Sequence, residues 1–491
     1  MLLIIASTFL FLFLLIKFYS YSSETKNSPP RLPLIGNLHQ IGSFPHRNFY
    51  ALAKKYGPFM QMYFGKVPIL VISSAEAARD ITKTHDHVFA NRPPKINYDI
   101  LLYNFRDVSS APYGEYWRQL RSICMLHLLS AKRVKSLRTV REEELVLMMD
   151  KIRDYSSKSL PVNLSELIAS KTNDVVCRAT LGNKYSGESG TGFAKLMMDF
   201  TELLGTFMVG DYVPSLDWMT HLSGYYSRAK KVAKQFDDLL EGVVEERFNN
   251  PKGDDEEQTD LVDVLLWIQR TESLGFPIDR TTIKALLLDM FVAGTDTIST
   301  LLEWEMSELL KNPHMMKKLK EEARTVANGR TYITEDDLSN MKYLKAVGKE
   351  ALRMYPPIPL LVPRECRQDV KVNGYNIKAG TRVFINAWGI ARDPRYWDQP
   401  DEFRPERFLD TSVDVKGIDY QLIPFGSGRR GCPGLVYAMA ANDLVLANLV
   451  HQFNWELPGG AGAKVDMSEA FGFTVHRKFP LMAYAAVSNQ N

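Results

Sequence analysis

The residues best suited to chemistry lie in one glycine-rich segment near the C-terminus, Phe425-Gly426-Ser427-Gly428-Arg429-Arg430-Gly431-Cys432-Pro433-Gly434. An apolar stretch over 435–450 follows directly and reads as a helix, which puts Cys432 at a helix N-terminus. Free amides and the positive end of the helix dipole favour a thiolate there, and a thiolate is a soft metal ligand. The glycines let the backbone approach a flat ring closely and aim amides at the sulfur. The plainer reading of one cysteine in such a turn is a small buried side chain. A second group sits where it is costly: Ala293-Gly294-Thr295-Asp296-Thr297 interrupts a long apolar pattern. Asp and Thr inside a helix need partners. Thr297 can return its hydroxyl to the Ala293 carbonyl, and Gly294 leaves room for a ligand.

A mainly helical body must position these residues. Interleaved charged and apolar residues predict helices over 131–153 and 222–248. Asp279 can N-cap a helix running to about Lys311; Asn312 then caps the next, with Pro313 at its first position and Gly329 at its end. Thr334 and Asp337 form the pattern of a capping box, and a further helix ending at Met354 stops before Pro356-Pro357. Strands are expected over 369–372 and 375–377, where Asn373-Gly374 is a strong hairpin signal, and in the alternating stretch 63–72. The acidic run 254–258 reads as an exposed loop between helices. The fold class is therefore mainly α with a smaller β-sheet region.

With 491 residues, 45% hydrophobic and 24% charged, the chain can bury a large core. Sixty basic against 57 acidic residues leave a net charge of +3, which supplies no general field for nucleic acid. Cys124, Cys177, Cys366 and Cys432 form no C-x-x-C pair and are too few for a disulfide framework, so a reduced, cytosol-facing body fits. Residues 1–16 are apolar apart from Ser7 and Thr8; Lys17 can snorkel and Tyr19 and Tyr21 can sit at an interface, extending the run to a marginal membrane span. No positive charge precedes this run, unlike in a cleaved signal peptide, and Lys17, Lys26 and Arg31 follow it, which keeps the body cytosolic. Ser28-Pro29-Pro30-Arg31-Leu32-Pro33 reads as a stiff extended connector. The expected organisation is an anchor at 1–21, a proline-rich hinge at 22–33 and one body at 34–491.

In this order the motifs resemble the cytochrome P-450 family, plant microsomal type, from the proline hinge to the C-terminal strands. Phe425, Gly428, Arg430, Cys432 and Gly434 match F-x-x-G-x-R-x-C-x-G. The resemblance implies the cytochrome P-450 fold preceded by an N-terminal membrane anchor helix, single-pass in the endoplasmic reticulum with the body in the cytosol. It implies haem b, with Cys432 as the axial ligand of the iron, Phe425 beside the ring, and Arg430 and Arg364 toward the propionates. Trp117-Arg118-Gln119-Leu120-Arg121 resembles W-x-x-x-R, which adds Trp117, Arg121 and also Arg118 to the propionate side. Asp296 and Thr297 would deliver protons for oxygen activation; Ile298 departs from the second hydroxyl usual in the family. Glu350-x-x-Arg353 alone is weak, since Glu321-x-x-Arg324 repeats it, but its place upstream of Phe403-Arg404-Pro405-Glu406-Arg407-Phe408 assigns Glu350, Arg353 and Arg407 to a fold-locking network.

The same resemblance lines a substrate pocket with Ile100, Leu101, Phe105, Leu203, Phe207, Val292, Ala293, Ile358, Leu360, Leu361 and Phe473. These are apolar, so the expected substrate is a small hydrophobic specialised metabolite, a terpenoid first and a phenolic or coumarin-like ring second. The implied activity is a monooxygenase using O2 and electrons from NADPH through a partner reductase, at a lipid membrane. The alternatives are a haem-thiolate isomerase or dehydratase that needs no outside electrons, and a non-catalytic haem carrier or sensor. The Asp296-Thr297 pair favours the first, because a protein with no oxygen to protonate has no use for it.

Overall fold

The structure is a computed structural model describing residues 7–11, 13, 28–184, 190–250, 260–271, 276–460 and 462–488. Most of the expected anchor, the first part of the hinge and the acidic run at 254–258 lie outside the described residues. The longer helices are α1 (Pro45–Tyr56), α2 (Glu115–Ile123), α3 (Arg138–Ser157), α4 (Leu164–Leu181), α5 (Gly190–Gly205), α6 (Tyr225–Asn249), α7 (Leu261–Thr271), α8 (Arg280–Lys311), α9 (Pro313–Ala327), α10 (Lys342–Met354) and α11 (Leu435–Gln452). The strands are β1 (Phe59–Phe64), β2 (Val67–Ile72), β3 (Val162–Asn163), β4 (Arg364–Glu365), β5 (Val370–Val372), β6 (Tyr375–Ile377), β7 (Arg382–Ile385), β8 (Phe453–Glu456), β9 (Glu469–Phe471), β10 (Val475–Arg477) and β11 (Met482–Val487).

Helix α8 is the axis of the body. Asp279 caps it by accepting the Thr282 amide, as its sequence predicts. Its length and hydropathy would suit a membrane span, yet 67% of its most apolar window is buried inside the body, so it is a core helix. α4 and α11 pack along it, and α6, α7, α9 and α10 touch it as well. A side-chain carbon on Gly294 would meet Val176 of α4 at 3.3 Å. The small residue thus serves the close approach of two helices, not ligand space as its position in the motif suggests. Asn312 also corrects an expectation: it gives α9 no side-chain cap, because its amide donates back to the Glu308 carbonyl at 2.9 Å and the Glu308 carboxylate at 3.0 Å.

The main sheet has the order β1-β2-β7-β4. β1 and β2 form a hairpin, β7 joins β2 in parallel, and β4 closes the edge antiparallel to β7. The β5–β6 hairpin turns at Asn373 (φ 50°) and Gly374 (φ 85°), both left-handed as a two-residue turn requires. The last residues of the expected hinge are not a free connector. Pro29 is buried, and the Asn37 amide donates to the Pro29 and Pro30 carbonyls at 3.2 and 3.1 Å. Proline offers no amide to compete but leaves its carbonyl available, so the segment docks onto the body from residue 28 onward.

Candidate active site

The loop before α11 presents Cys432. Gly426 and Gly428 sit at φ 71° and 69°, and a side-chain carbon on Gly428 would lie 2.1 Å from the Thr82 carbonyl oxygen, so only glycine closes this turn. The Cys432 amide donates to the Phe425 carbonyl at 2.8 Å, and the Gly434 amide points at the Cys432 sulfur at 3.3 Å. Although deep in the body, the Cys432 side chain is accessible, because it faces an internal cavity. Burial raises its pKa; the Gly434 amide and the Arg121 charge oppose this without overcoming it. Burial thus works against the thiolate that a helix N-terminus favours, and a bound cation would favour it.

The cavity encloses about 1590 Å³, part of it open toward the surface. Asp289, Ala293 and Thr297 face it from α8, and Phe425, Gly431 and Cys432 from the loop opposite. The helix residues are four apart, hence on one face. Thr297 donates its hydroxyl to the Ala293 carbonyl at 2.7 Å, the back-bond its sequence predicts. Asp296, one residue earlier, turns about 100° away from that face. Its carboxylate accepts the Thr474 hydroxyl at 2.8 Å, and burial raises its pKa against that bond and the charge of His476. The two members of the expected pair thus stand on different sides of α8.

Arginines gather at the cysteine end of the cavity. Arg121, Arg364 and Arg430 line it, as does Trp117. Arg430 lies 4.1 Å above the Trp117 ring and donates to the Ala90 and Ala111 carbonyls at 2.7 and 2.6 Å. Arg364 pairs with Asp86 at 3.0 Å. Sequence reasoning missed Arg92, which donates to the Val362 and Pro363 carbonyls at 2.7 and 2.8 Å and also lines the cavity. Burial, with repulsion from the other arginines, pushes Arg92 down to about 9 and Arg430 to about 8. A guanidinium ordinarily does not titrate in a protein, so these shifts express burial first and the crowding of like charge second, with Asp107 opposing both. Arg118 does not join the group: it is turned to solvent and ion-paired with Glu115, one turn back on α2.

The residues expected to line a substrate pocket divide between this cavity, an adjoining one and the core. Val292, Ala293, Ile358, Leu361 and Phe473 line the cavity. Phe207 and Leu360 line an adjoining one, which shares Ile358, Leu361 and Phe473. Leu101 and Leu203 are core residues instead, and Leu102 and Leu204 face the cavity in their place. Ile100 and Phe105 pack against the core, outside both linings. A slip of one residue on a helix rotates the side chain by about 100°, which a short apolar run does not reveal. Tyr98 and Asp289 were also missed; an acid amid apolar residues, four before Ala293, was the available signal.

Glu350, Arg353 and Arg407 meet away from the cavity. Arg353 donates to Glu350 at 2.7 and 2.9 Å and Arg407 donates to it at 3.0 Å. Arg353 and Glu350 are fully buried, and Arg353 also donates to the Ala391, Pro400 and Glu402 carbonyls. This set ties α10 to the 391–407 segment.

An accessible thiol, apolar walls and arginines short of counter-ions fit haem b: a sulfur donor for iron, a surface for the ring, and cations for two carboxylates. The comparisons agree. A family model described as Cytochrome P450 matches residues 27–480. Cytochrome P450 736A117 of Prunus mume is 54% identical over 489 residues, 97% of this chain and 94% of the relative. Cytochrome P450 71A25 of Arabidopsis thaliana is 52% identical over 94% of each chain. A protein of Tanacetum parthenium named 3-beta-hydroxylase is 50% identical, over 94% of this chain and 93% of its own. A solved zebrafish cytochrome P450 structure shares the fold, with a TM-score of 0.78 at 24% identity, over 91% of this chain and all of that one. With the matched model running through both the cysteine loop and α8, the chain belongs to the cytochrome P450 family and is a haem-dependent monooxygenase.

Proposed function

We propose that the protein inserts one oxygen atom from O2 into a small hydrophobic plant specialised metabolite, a terpenoid first and a phenolic or coumarin-like ring second. Electrons would come from NADPH through a membrane-bound reductase. The observation that carries this reading is that the Cys432 thiol and the Thr297 hydroxyl line one cavity whose remaining wall is largely apolar. Haem b, held by Cys432 with Phe425 beside it and Trp117, Arg121, Arg364 and Arg430 toward its carboxylates, supplies oxygen activation when bound. The chain's own work is to place the substrate and manage protons. Ala293, Ile358, Leu361 and Phe473 exclude water from the substrate's apolar surface. The Thr297 Oγ1 sits at the cavity wall, where it would pass a proton inward, and Asp296, whose pKa burial raises, would serve as the acid behind it. Thr474 donates to Asp296 on the side of α8 away from Thr297, so a proton held there would have to cross the helix to reach the cavity.

The test is to combine the purified protein with a plant reductase, NADPH and O2, and to screen terpenes and phenolics for oxidised products. Substrate-dependent NADPH and O2 consumption with matching product is expected. Conversion of an oxygenated substrate without NADPH would favour an isomerase or dehydratase instead.

A further inference from the structure

Thr474 is a buried hydroxyl residue, 1% exposed, that lines neither cavity. Its neighbour in the chain, Phe473, lines both, from the turn between β9 and β10. A turn joining two short strands would ordinarily swing, yet this one is fastened to its surroundings. Thr474 donates its hydroxyl to the Asp296 carboxylate at 2.8 Å and, with that proton committed, accepts the Thr300 hydroxyl at 3.2 Å. The Trp304 ring N–H donates to the Val475 carbonyl at 3.1 Å, and the Val475 amide donates to the Pro357 carbonyl at 2.9 Å. Asp296, Thr300 and Trp304 are spaced by four on α8, hence on one face. The end of α5 also abuts the turn: a side-chain carbon on Gly205 would lie 2.4 Å from the Phe473 amide nitrogen.

We propose that Thr474 is a positioning residue for substrate selection: clasped to α8, it fixes Phe473 as a partition between the two cavities and so limits the length of molecule the inner one accepts. This rests on the reading of the cavity as the substrate site and adds what bounds its occupant. Thr474 acts only through its neighbour. A phenylalanine ring has few rotamers and follows its backbone. With its amide against α5 and the next two residues tied to α8, the Phe473 ring has little freedom to withdraw. Of the three side-chain bonds joining this turn to α8, two belong to the Thr474 hydroxyl. Removing that hydroxyl leaves the turn on the Trp304 bond alone at this face, lets the ring move, and joins the two cavities into one longer space.

The experiment measures equilibrium binding of 4-phenylimidazole and 4-(biphenyl-4-yl)imidazole to the full-length ferric holoenzyme by the change in haem absorbance. Both probes carry the same iron-binding nitrogen, and the second is one ring longer. The readout is the ratio of their dissociation constants, which involves neither oxygen nor proton delivery. Thr474→Val should shift the ratio about tenfold in favour of the longer probe, while the shorter changes less than about twofold. Thr474→Ala repeats the test with room for a water beside Asp296, should the valine variant not take up haem. Phe473→Ala should shift the ratio at least as far, and adding Thr474→Val to it should shift it no further, since the clasp then has no ring to hold. Thr474→Ser keeps the hydroxyl and should keep the wild-type ratio. Equal weakening of both probes in the valine or alanine variant would make Thr474 only a tie between β10 and α8 and overturn the proposal. So would an unmoved ratio in those variants or in Phe473→Ala, additive shifts in the double variant, or a shift in Thr474→Ser. Failure of the wild type to bind either probe would overturn the cavity reading itself, a result distinct from the others.

Discussion

Single atoms decide much of this site. The Cys432 sulfur is accessible, and burial raises its pKa against the pull of the Gly434 amide and the Arg121 charge. Replacing it by serine puts a harder, less acidic donor in the same loop. Cys432→Ser should therefore lose the red-shifted carbon monoxide band of reduced thiolate-ligated haem; retention of that band would move the ligand elsewhere. Thr297 offers a second test. Its hydroxyl lines the cavity while Asp296 faces Thr474, so under the proposed proton-delivery role a proton would pass from the acid's side of α8 to the alcohol's side. Thr297→Ala should keep haem and substrate binding, because it leaves a small void. It should still consume NADPH but release several-fold more hydrogen peroxide per product, as measured by following peroxide, NADPH and product together. An unchanged ratio of product to NADPH would reduce Thr297 to a helix back-bond.

At the scale of elements, two junctions of α10 carry the load. The Glu350–Arg353–Arg407 set welds α10 to the 391–407 segment. Glu350→Ala would leave the fully buried Arg353 without its counter-charge, a loss of about 3–5 kcal/mol. Arg407→Ala should cost less, since Glu350 keeps Arg353. Denaturant unfolding of both variants checks the order; a Glu350→Ala protein within about 1 kcal/mol of wild type would contradict it. The second junction lies between α8, α10 and α11, where Asp443 is buried near Glu305, Asn442 and Lys345. Burial lifts Asp443 to about 6. Folded, it binds its proton more tightly than unfolded, so its contribution is complete below about pH 4, falls as pH rises to about 6, and is flat above. Asp443→Asn should remove that fall. The gain over wild type should grow from nothing near pH 4 to at most about 3 kcal/mol at pH 7, read from denaturation midpoints across that range.

For the molecule as a whole, the proline segment 28–33 belongs to the body, held by Asn37, so a cut before it should leave the fold intact. Deleting 1–21 should abolish carbonate-resistant membrane association of the full chain while haem incorporation persists; loss of haem in the truncated protein would contradict this. The sequence by itself determined the elements and the chemistry-bearing motifs. Capping at Asp279, the Asn373-Gly374 turn and the Thr297 back-bond are local, set by a few neighbouring residues and their allowed dihedrals. What only the tertiary structure decided is which face of each element meets which partner. It separated Asp296 from Thr297, sent Arg118 to solvent, brought in Arg92 and Asp289, and exchanged Leu101 and Leu203 for Leu102 and Leu204. It also turned the bare side of Gly294 toward Val176. The reason is geometric: one residue along a helix turns a side chain by about 100°, and the rotation of a buried helix is set by packing on all its sides at once, which no local run of residues encodes.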